Sequence, residues 1–372
     1  MHNLYIPPQK IILFIILLFV TTTTANFLKD QNFAIPEFSI PTPSITLSLP
    51  AEEDKEVTKP EVAWSDIKIR TNGADRKYGN IIGMQTVLRH TDFVKEEWWK
   101  ERIEELLSKG KTANLYDRKT IIVFPEHVGS GLVFLDEKSR FIESRNLKNA
   151  LETKGEQVSL KKLYYEKSER MLDVYVRTFS ELSKKYNVPI LAGTIVLPNP
   201  KIVKGSIVLD KEGPLYNVSI PFSADGRVMD LLVKKTTLSK EEEETYNAGE
   251  KNQDRVWVVP GWKVAVFIGQ EVFDASLYDA LKTRPLDGMV SPAAVHSDMK
   301  WNGTALDDLT VWKNEGMPKY IKTTKALDLV QVFLMGNFFE NQWKARTFNV
   351  RDFVNEDTAD SSEFPTILNL YF

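Results

Sequence analysis

The sequence predicts a mixed α/β protein with one main domain, and three kinds of pattern lead to this prediction. Short apolar runs such as residues 120–124 have the length and composition of buried strands. Apolar residues at helical spacing mark helices over 92–109 and 172–186. After residue 215 the apolar runs are joined by turn pairs, Asp225-Gly226 and Pro260-Gly261, which indicate hairpins. Helices laid over apolar sheet faces are the expected result.

The first 25 residues are predicted to be a signal peptide. Lys10 precedes the apolar run 11–20, which is followed by four threonines and Ala25. This run is too short to cross a bilayer core of about 30 Å as a helix, but it suits the core of a signal peptide. We therefore expect a secreted or periplasmic protein, cleaved after Ala25 and without an integral membrane span. The alternative is an uncleaved short anchor.

Two extensions are predicted to flank the main domain. Residues 26–75 form a Pro-rich extension, because prolines recur there among serines, threonines and charged residues and disfavour regular helix. The main domain is predicted over 76–345. A C-terminal extension over 346–372 ends in the apolar run 367–372, which we expect either to add a closing strand or to pack in an interface.

Composition excludes several classes of function. The chain has 372 residues, 42% hydrophobic content and a net charge of only −3, so it can bury a large core but has no charge bias toward nucleic acid or acidic lipid. It contains no cysteine, which removes disulfides and thiol chemistry. Its four histidines lack metal-ligand spacing, and no phosphate-binding or dinucleotide fingerprint is present. We therefore predict no metal and no cofactor.

The elements follow one another along the chain with recognisable boundaries. The first helix is expected to stop at Gly110, and the second before Asn187-Val188-Pro189, because glycine and proline end helices there. The predicted elements, in order, are a strand at 80–85, a helix at 92–109, a strand at 120–124, a helix around 172–186, a strand at 190–197, hairpins of 215–221 with 228–233 and of 256–259 with 263–268, a helix at 274–282, a strand at 288–291 and an apolar run at 329–335.

Two groups of charged residues stand at predicted strand ends. Glu126 and His127 follow the buried run "IIVFP", and Lys234 and Lys235 follow "LLV". The carboxyl ends of strands are where sites collect in α/β sheets, and His127 could act as a general acid or base. Taken alone, each group is also explained as a solvated loop.

The order of these pieces resembles the nitrilase, or carbon-nitrogen hydrolase, superfamily between residues 80 and 337. "NIIGMQ" and "IIVFPE" are similar to that family's first strand and to the strand that ends in its catalytic glutamate. "YNVPILAGTIVLP", "LYNVSIPFSADGRV" and "LDGMVSPAAV" resemble later strands in the same order. The resemblance implies a four-layer α-β-β-α sandwich, a homo-oligomer and a small-molecule ligand or substrate, with hydrolysis of non-peptide carbon-nitrogen bonds if the protein is an active enzyme.

In that family a glutamate, a lysine and a cysteine act together on an amide or nitrile. The resemblance gives the glutamate role to Glu126 and the lysine role to Lys235. A second glutamate found in many members corresponds to Glu243, with Glu244 nearly as good. In "FIGQE" Gly269 stands in the position of the nucleophilic cysteine. Ordinary covalent catalysis by this mechanism should therefore be absent.

Three hypotheses remain open from the sequence. In the first, the protein is a pseudoenzyme, and the absent thiol leaves a small concavity in which Glu126 and Lys235 bind an amide, acid or amine. In the second, it is an amidohydrolase in which Glu126 activates a water molecule. In the third, Glu126 and Lys235 are a buried ion pair kept for folding. Function would then lie on an oligomer surface or in the Pro-rich extension.

Overall fold

The computed structural model describes residues 67–136, 144, 146–153, 156–296, 298–361 and 363–372. The predicted signal peptide and most of the predicted Pro-rich extension lie outside these described residues. Within the described part, no helix is long and apolar enough to cross a membrane.

The described residues form a strand-rich chain with helices between the strands. The strands are β1 Lys68–Asn72, β2 Asn80–Val87, β3 Thr120–Val123, β4 Glu152–Thr153, β5 Glu156–Gln157, β6 Ile190–Pro198, β7 Lys201–Val203, β8 Ser206–Val208, β9 Leu215–Phe222, β10 Val233–Lys234, β11 Val256–Val259, β12 Trp262–Val266, β13 Gly288–Ala294, β14 Lys300–Trp301, β15 Thr304–Ala305, β16 Asp328–Phe338, β17 Asn341–Trp343, β18 Phe348–Arg351, β19 Asn355–Thr358 and β20 Thr366–Tyr371. The helices are α1 Glu96–Thr112, α2 Leu147–Leu151, α3 Leu160–Tyr186, α4 Lys240–Thr245, α5 Ala275–Asp279, α6 Leu309–Glu315 and α7 Met317–Thr324.

Helix α3 is longer than the sequence pattern predicts, because it begins at Leu160. The side chain of Ser159 accepts a hydrogen bond from the backbone N–H of Lys162 and so caps the first turn. Asn187, with φ of 53°, ends the helix in the left-handed conformation that asparagine tolerates. Helix α1 continues two residues beyond Gly110 to Thr112, so the predicted stop was wrong by that amount.

The main sheet is curled, and β2 is the strand at which its two halves meet. Strands β10, β9, β6, β3 and β2 follow one another in the first half, and β16, β13, β12 and β11 follow in the second. Residues 80–85 of β2 pair with β20, whereas Thr86 and Val87 pair with β16. The C-terminal apolar run forms β20, which lies between β1 and β2. It therefore adds a strand to the sheet.

Apolar side chains from the two halves of the sheet face each other and make the central part of the core. Ile81 and Val123 of the first half are buried in one cluster with Val264 and Val330 of the second. The outer face of the first half packs on α1 and α3, and the outer face of the second packs on α5, α6 and α7. This arrangement has four layers, helix, sheet, sheet and helix, as the family resemblance implies.

The curling of the sheet brings distant strand ends together. Glu126 lies just beyond β3, in the first half, and Lys235 directly follows β10, at the far edge of that half. Gly269 lies just beyond β12, in the second half. The fold therefore places Glu126 at the same end of the two sheet halves as Lys235 and Gly269, which both lie more than a hundred positions later in the chain.

Candidate functional site

Glu126, Lys235 and the backbone of Gly269 meet in the interior of the protein. The Glu126 and Lys235 side chains are almost completely buried, and Lys235 Nζ donates a hydrogen bond to Glu126 Oε1 at 2.8 Å. An ideal Cβ placed on Gly269 would lie 3.0 Å from Lys235 Nζ and 2.5 Å from Glu126 Oε2. The structure thus brings together three positions that the sequence singles out.

The Glu126 carboxylate receives hydrogen bonds from three different strands or strand ends. Besides Lys235, the side chain of Asn217 on β9 donates from Nδ2 to Oε1 at 2.8 Å. The backbone N–H of Ala294 on β13 donates to Oε2 at 3.0 Å. A buried charged group is costly unless its hydrogen-bonding capacity is met, and these donors meet it. They also fix the carboxylate in one orientation.

A second carboxylate completes the site, and it belongs to Glu242. Glu242 Oε1 accepts hydrogen bonds from Lys235 Nζ and from the Tyr246 hydroxyl, both at 2.5 Å. The structure places Glu242, and not the predicted Glu243, in the cluster, because Glu242 bonds Lys235 and Glu243 is exposed. The Ser239 side chain caps Glu242 N while Glu242 Oε2 accepts from Ser239 N, a reciprocal capping box that turns Glu242 inward. The spacing Ser-x-x-Glu was the sequence signal for this residue.

Gly269 starts a short 3-10 turn after β12, with φ of +54°. Residues with a Cβ rarely adopt this left-handed conformation, whereas glycine does so at little cost. The Glu126 carboxylate lies where a side chain at position 269 would project. The expected concavity at the lost nucleophile is therefore filled by the carboxylate itself.

Glu271 ties the lysine segment to the turn at Gly269. Its Oε1 accepts hydrogen bonds from Thr236 N at 2.5 Å and Thr236 Oγ1 at 2.8 Å. Its Oε2 accepts from Ile268 N at 2.7 Å and from Arg255 Nη1 at 3.2 Å. Thr236 follows Lys235, and Ile268 precedes Gly269. The buried Glu271 carboxylate therefore fixes the positions of Lys235 and Gly269 relative to each other. The sequence indicated Glu271 only as part of the flanking pattern.

Burial and charge act in opposite directions on the three ionisable groups. Burial raises the pKa of Glu126 and outweighs the lowering effect of Lys235. Burial alone would lower the pKa of Lys235, but the carboxylates of Glu126 and Glu242 raise it above its ordinary value. Burial would raise the pKa of Glu242, yet the Lys235 ammonium outweighs it and lowers that pKa. Lys235 is therefore charged, with Glu242 as its ionised partner.

His127 stands beside this cluster as a neutral ring. Its Nδ1 lies 3.0 Å from Ser130 Oγ, and its Nε2 lies 3.8 Å from Glu126 Oε1. Burial, followed by the nearby Lys235 charge, lowers the pKa of His127 to about 4. The ring can accept or donate one hydrogen bond at each nitrogen according to its tautomer, but it carries no charge near neutral pH.

A cavity of about 190 Å³ opens beside the buried cluster. Glu242, His127 and Ala294 line it, and each of them contacts Glu126 or Lys235. Glu126 and Lys235 themselves lie behind this surface. The remaining lining residues are Ser130, Gly131, Phe134, Leu147, Leu160, Tyr164, Ser239, Glu241, Thr245, Tyr246, His296, Met299, Leu334, Phe338, Phe339, Asn341 and Trp343.

Glu126, His127 and Glu242 each offer an atom that could bind a metal ion, and these atoms lie within 4.8 Å of one another. Lys235 Nζ, however, bonds to both carboxylates and already supplies a positive charge between them. A divalent cation would have to compete with this ammonium in a buried space. The donor set therefore does not fit a metal site while Lys235 is charged.

No protein-family model and no curated protein matches the chain. Solved amidase structures from Nesterenkonia do match it. A cysteine-to-serine mutant of the Nesterenkonia AN1 amidase from the nitrilase superfamily is 13% identical, with a TM-score of 0.54, over 80% of this chain and 92% of that one. A mutant of the amidase from Nesterenkonia sp. AN1 with acrylamide added at the active-site cysteine is 12% identical, with a TM-score of 0.53, over 79% and 92%.

A third structure, a cysteine-to-alanine mutant of the Nesterenkonia sp. AN1 amidase in complex with butyramide, is 13% identical with a TM-score of 0.53. The match covers 78% of this chain and 90% of that one. At this level of identity the likeness concerns the fold. The four layers, the curled sheet and the structural matches agree that this chain has the fold of the nitrilase-superfamily amidases.

Proposed function

We propose that this protein binds a small organic molecule in the cavity beside Glu242 and His127 and does not carry out cysteine-dependent amide hydrolysis. One observation carries this proposal. Where a nucleophile would project from position 269, the residue is glycine and the space holds the Glu126 carboxylate. The protein would then be a pseudoenzyme that retains the fold and the Glu-Lys pair of an amidase.

Loss of the nucleophile is decisive for covalent catalysis. In a serine protease, removal of the nucleophile lowers turnover by about 10⁶-fold, and the chain has no cysteine to replace the missing thiol. Substitution of Gly269 by cysteine would restore the thiol, but the new side chain would have to displace the Glu126 carboxylate. Both the chemical group and the room for it are therefore missing at position 269.

Binding is supported by the form of the cavity. Its walls are largely apolar and aromatic, and a few polar groups converge at the buried cluster: Glu242, Tyr246, His127 and Ser130. Ligand sites in proteins commonly combine apolar walls with a small number of polar groups that set orientation. A volume of about 190 Å³ corresponds to roughly six water molecules, which suits a small ligand.

A second candidate is an amidohydrolase in which Glu126 activates water. The raised pKa of Glu126 favours it, because a carboxylate with such a pKa accepts a proton readily near neutrality. The geometry is less favourable, since this carboxylate is fully buried and already accepts three hydrogen bonds. A water molecule would first have to displace one of these donors.

One assay distinguishes the binding function from the amidohydrolase function. The mature protein is incubated with butyramide, acrylamide and fluoroacetamide, the compounds with which structures of the Nesterenkonia sp. AN1 amidase were obtained, and with short acids and amines. Ammonia release measures turnover, and calorimetry together with thermal denaturation measures binding. We expect binding of at least one compound and no turnover above that of the buffer.

Ammonia release that is abolished by Glu126→Gln but retained in Glu243→Gln would overturn the pseudoenzyme proposal in favour of the water mechanism. Glu243 is the matched control because it lies next to Glu242 but is exposed. If no compound of the panel binds, the binding proposal fails and the buried ion pair remains as a contribution to folding alone.

A further inference from the structure

The lining of the cavity is unequal in charge. Glu241 and Glu242 both line it, whereas the described lining residues include no lysine or arginine. Lys235 lies behind Glu242 and is shared with Glu126, so the buried cluster has two carboxyl groups for one ammonium. The neutral His127 adds no positive charge. The electrostatic environment of the cavity therefore favours a cation over an anion.

Aromatic rings form much of the cavity wall, and their faces attract cations. The Trp343 ring lies near two histidine rings of the lining, and its centroid is 5.9 Å from that of His127 and 5.8 Å from that of His296. The centroid of the Tyr246 ring lies 6.3 Å from that of His127. Rings beside carboxylates are the combination by which proteins recognise organic ammonium groups.

Two polar atoms of residues that line the cavity are buried without a hydrogen-bond partner in the described structure. They would bind different groups of a ligand. His296 Nε2 lies 3.1 Å from Glu241 Oε2, and because an ionised carboxylate only accepts, the nitrogen donates. In the tautomer that donates through Nε2, Nδ1 is an acceptor, and it has no partner. Trp343 Nε1 is a donor that also has none. Such buried atoms call for an N–H donor and an oxygen acceptor on the ligand.

From the unequal charge, the aromatic wall and these two unpartnered atoms, we propose that the ligand is a small primary amine, bound as its ammonium ion and carrying a hydroxyl or carbonyl oxygen. The ammonium lies toward Glu242 and the aromatic rings, and the oxygen accepts from Trp343 Nε1. This inference rests on the proposed binding function and narrows its ligand from amides, acids and amines to amines.

The inference is tested first on the unaltered mature protein with three compounds of similar shape: butylamine, butyramide and butyrate. Calorimetry at neutral pH and low salt gives their affinities, and 4-amino-1-butanol adds the oxygen to the amine. We expect butylamine to bind at least about tenfold more tightly than the other two, a difference of about 1.4 kcal/mol, and 4-amino-1-butanol to bind more tightly still.

If butyramide or butyrate binds as tightly as butylamine, the cavity binds ligands but the choice of an ammonium ion is wrong. If 4-amino-1-butanol binds no more tightly than butylamine, the role given to the oxygen is wrong. If none of these compounds, and none of the wider panel, binds, the proposed binding function fails together with this inference. The failures are therefore distinguishable.

Variants then show which carboxylate of the protein binds the ammonium ion. Glu242→Gln is expected to weaken amine binding by about tenfold, and the exposed neighbour Glu243→Gln is expected to leave it unchanged. Because Glu242 also bonds Lys235, thermal denaturation shows whether Glu242→Gln is folded. Glu241→Gln provides a second variant, since the Glu241 side chain is 73% exposed and lies at the cavity. Equal amine affinity in wild type, Glu242→Gln and Glu241→Gln would overturn the inference.

Discussion

Glu126 and Gly269 compete for one small volume in the protein interior. A Cβ on Gly269 would lie 2.5 Å from Glu126 Oε2, closer than two such atoms can approach without movement. The carboxylate is held there by Ala294 N, and the glycine has φ of +54°. The Glu126 carboxylate can therefore take this position only because residue 269 has no side chain.

Gly269→Ala should destabilise the protein more than Gly205→Ala does. Both glycines have positive φ, so alanine costs about 1–2 kcal/mol of backbone strain at each position. A Cβ on Gly205 meets no atom within 4 Å, whereas one on Gly269 meets the Glu126 carboxylate. Urea denaturation of the two variants gives the difference in the free energy of unfolding. Equal losses would show that the carboxylate moves aside without cost.

Gly269→Cys should not restore amide hydrolysis on its own. The new Cβ and thiol would displace Glu126, the residue to which the resemblance gives the role of taking the thiol proton. The measurement is ammonia release from butyramide, with thiol titration to show that the cysteine is present. Gly205→Cys, which places a thiol in an open turn, is the control. Turnover in Gly269→Cys alone would mean that the site can reopen.

Lys235→Met should destabilise the protein by about 3–5 kcal/mol, because it leaves the carboxyl groups of Glu126 and Glu242 without the cation that they share. The neighbouring variant Lys234→Met is the matched control. Lys234 Nζ is only half-buried and bonds Asn199 Oδ1 at 3.1 Å, so its loss should cost roughly 1 kcal/mol. Chemical denaturation compares the two variants. Similar losses would show that the buried pair contributes no more than a surface contact.

Adding Glu126→Gln to Lys235→Met should recover part of the lost stability, since it removes one of the two carboxyl groups that lose their shared cation. No recovery in the double variant would indicate that the loss comes from packing around the lysine stem.

The contribution of His127 to stability should depend on pH with a known sign. Its pKa is lowered from 6.5 to about 4 in the folded protein, so the unfolded chain takes up the proton first as the pH falls. The contribution is fully present above about pH 6.5 and is lost as the pH falls toward 4. His127→Asn removes it, and asparagine tolerates the φ of 60° at this position.

Between pH 6.5 and 4, the stability of wild type relative to His127→Asn should fall by up to about 1.4 kcal/mol per pH unit. Urea denaturation across this range measures it. The raised pKa of Glu126 has the opposite effect, because the folded state holds that proton longer and this contribution weakens as pH rises. Since both proteins contain Glu126, its effect largely cancels in the difference. If the stabilities of wild type and His127→Asn change with pH in parallel, the prediction is wrong.

Export should depend on the apolar run at residues 11–20. Leu17→Arg places a charge in the core of the predicted signal peptide and should retain the protein inside the expressing cell. Gln31→Arg, in the predicted Pro-rich extension, should leave export unchanged. Intact mass measurement of the exported protein should show an N-terminus at Asn26. An exported protein that still begins at Met1 would contradict the cleavage prediction.

The resemblance of the sequence to the nitrilase superfamily was sufficient to predict the layered fold, and it singled out Glu126, Lys235 and Gly269, which the structure brings together. It pointed to Glu243, with Glu244 nearly as good, and not to Glu242. Helix α4 has six residues and none is buried, so it has no apolar periodicity to show which glutamate faces inward. The capping contact with Ser239 turns Glu242 inward instead.

The filling of position 269 by a carboxylate could not be predicted either, because Glu126 and Gly269 lie in opposite halves of the curled sheet. Their separation depends on how those halves pack. The cavity has the same origin: His127 comes from the first half, while Phe338 and Trp343 come from the β16–β17 hairpin. Only the packed sheet determines which of these side chains share a wall.

The position of β20 has a consequence for how the chain is made. This strand lies between β1 and β2, and Tyr371 pairs with Asn80, almost three hundred residues earlier. During synthesis, β2 therefore has an unpaired edge along residues 80–85 until residues 366–371 leave the ribosome. Pairing of such distant segments is slow, and an unpaired edge can associate with other chains. The last strand thus sets the moment at which the nascent protein can close its sheet.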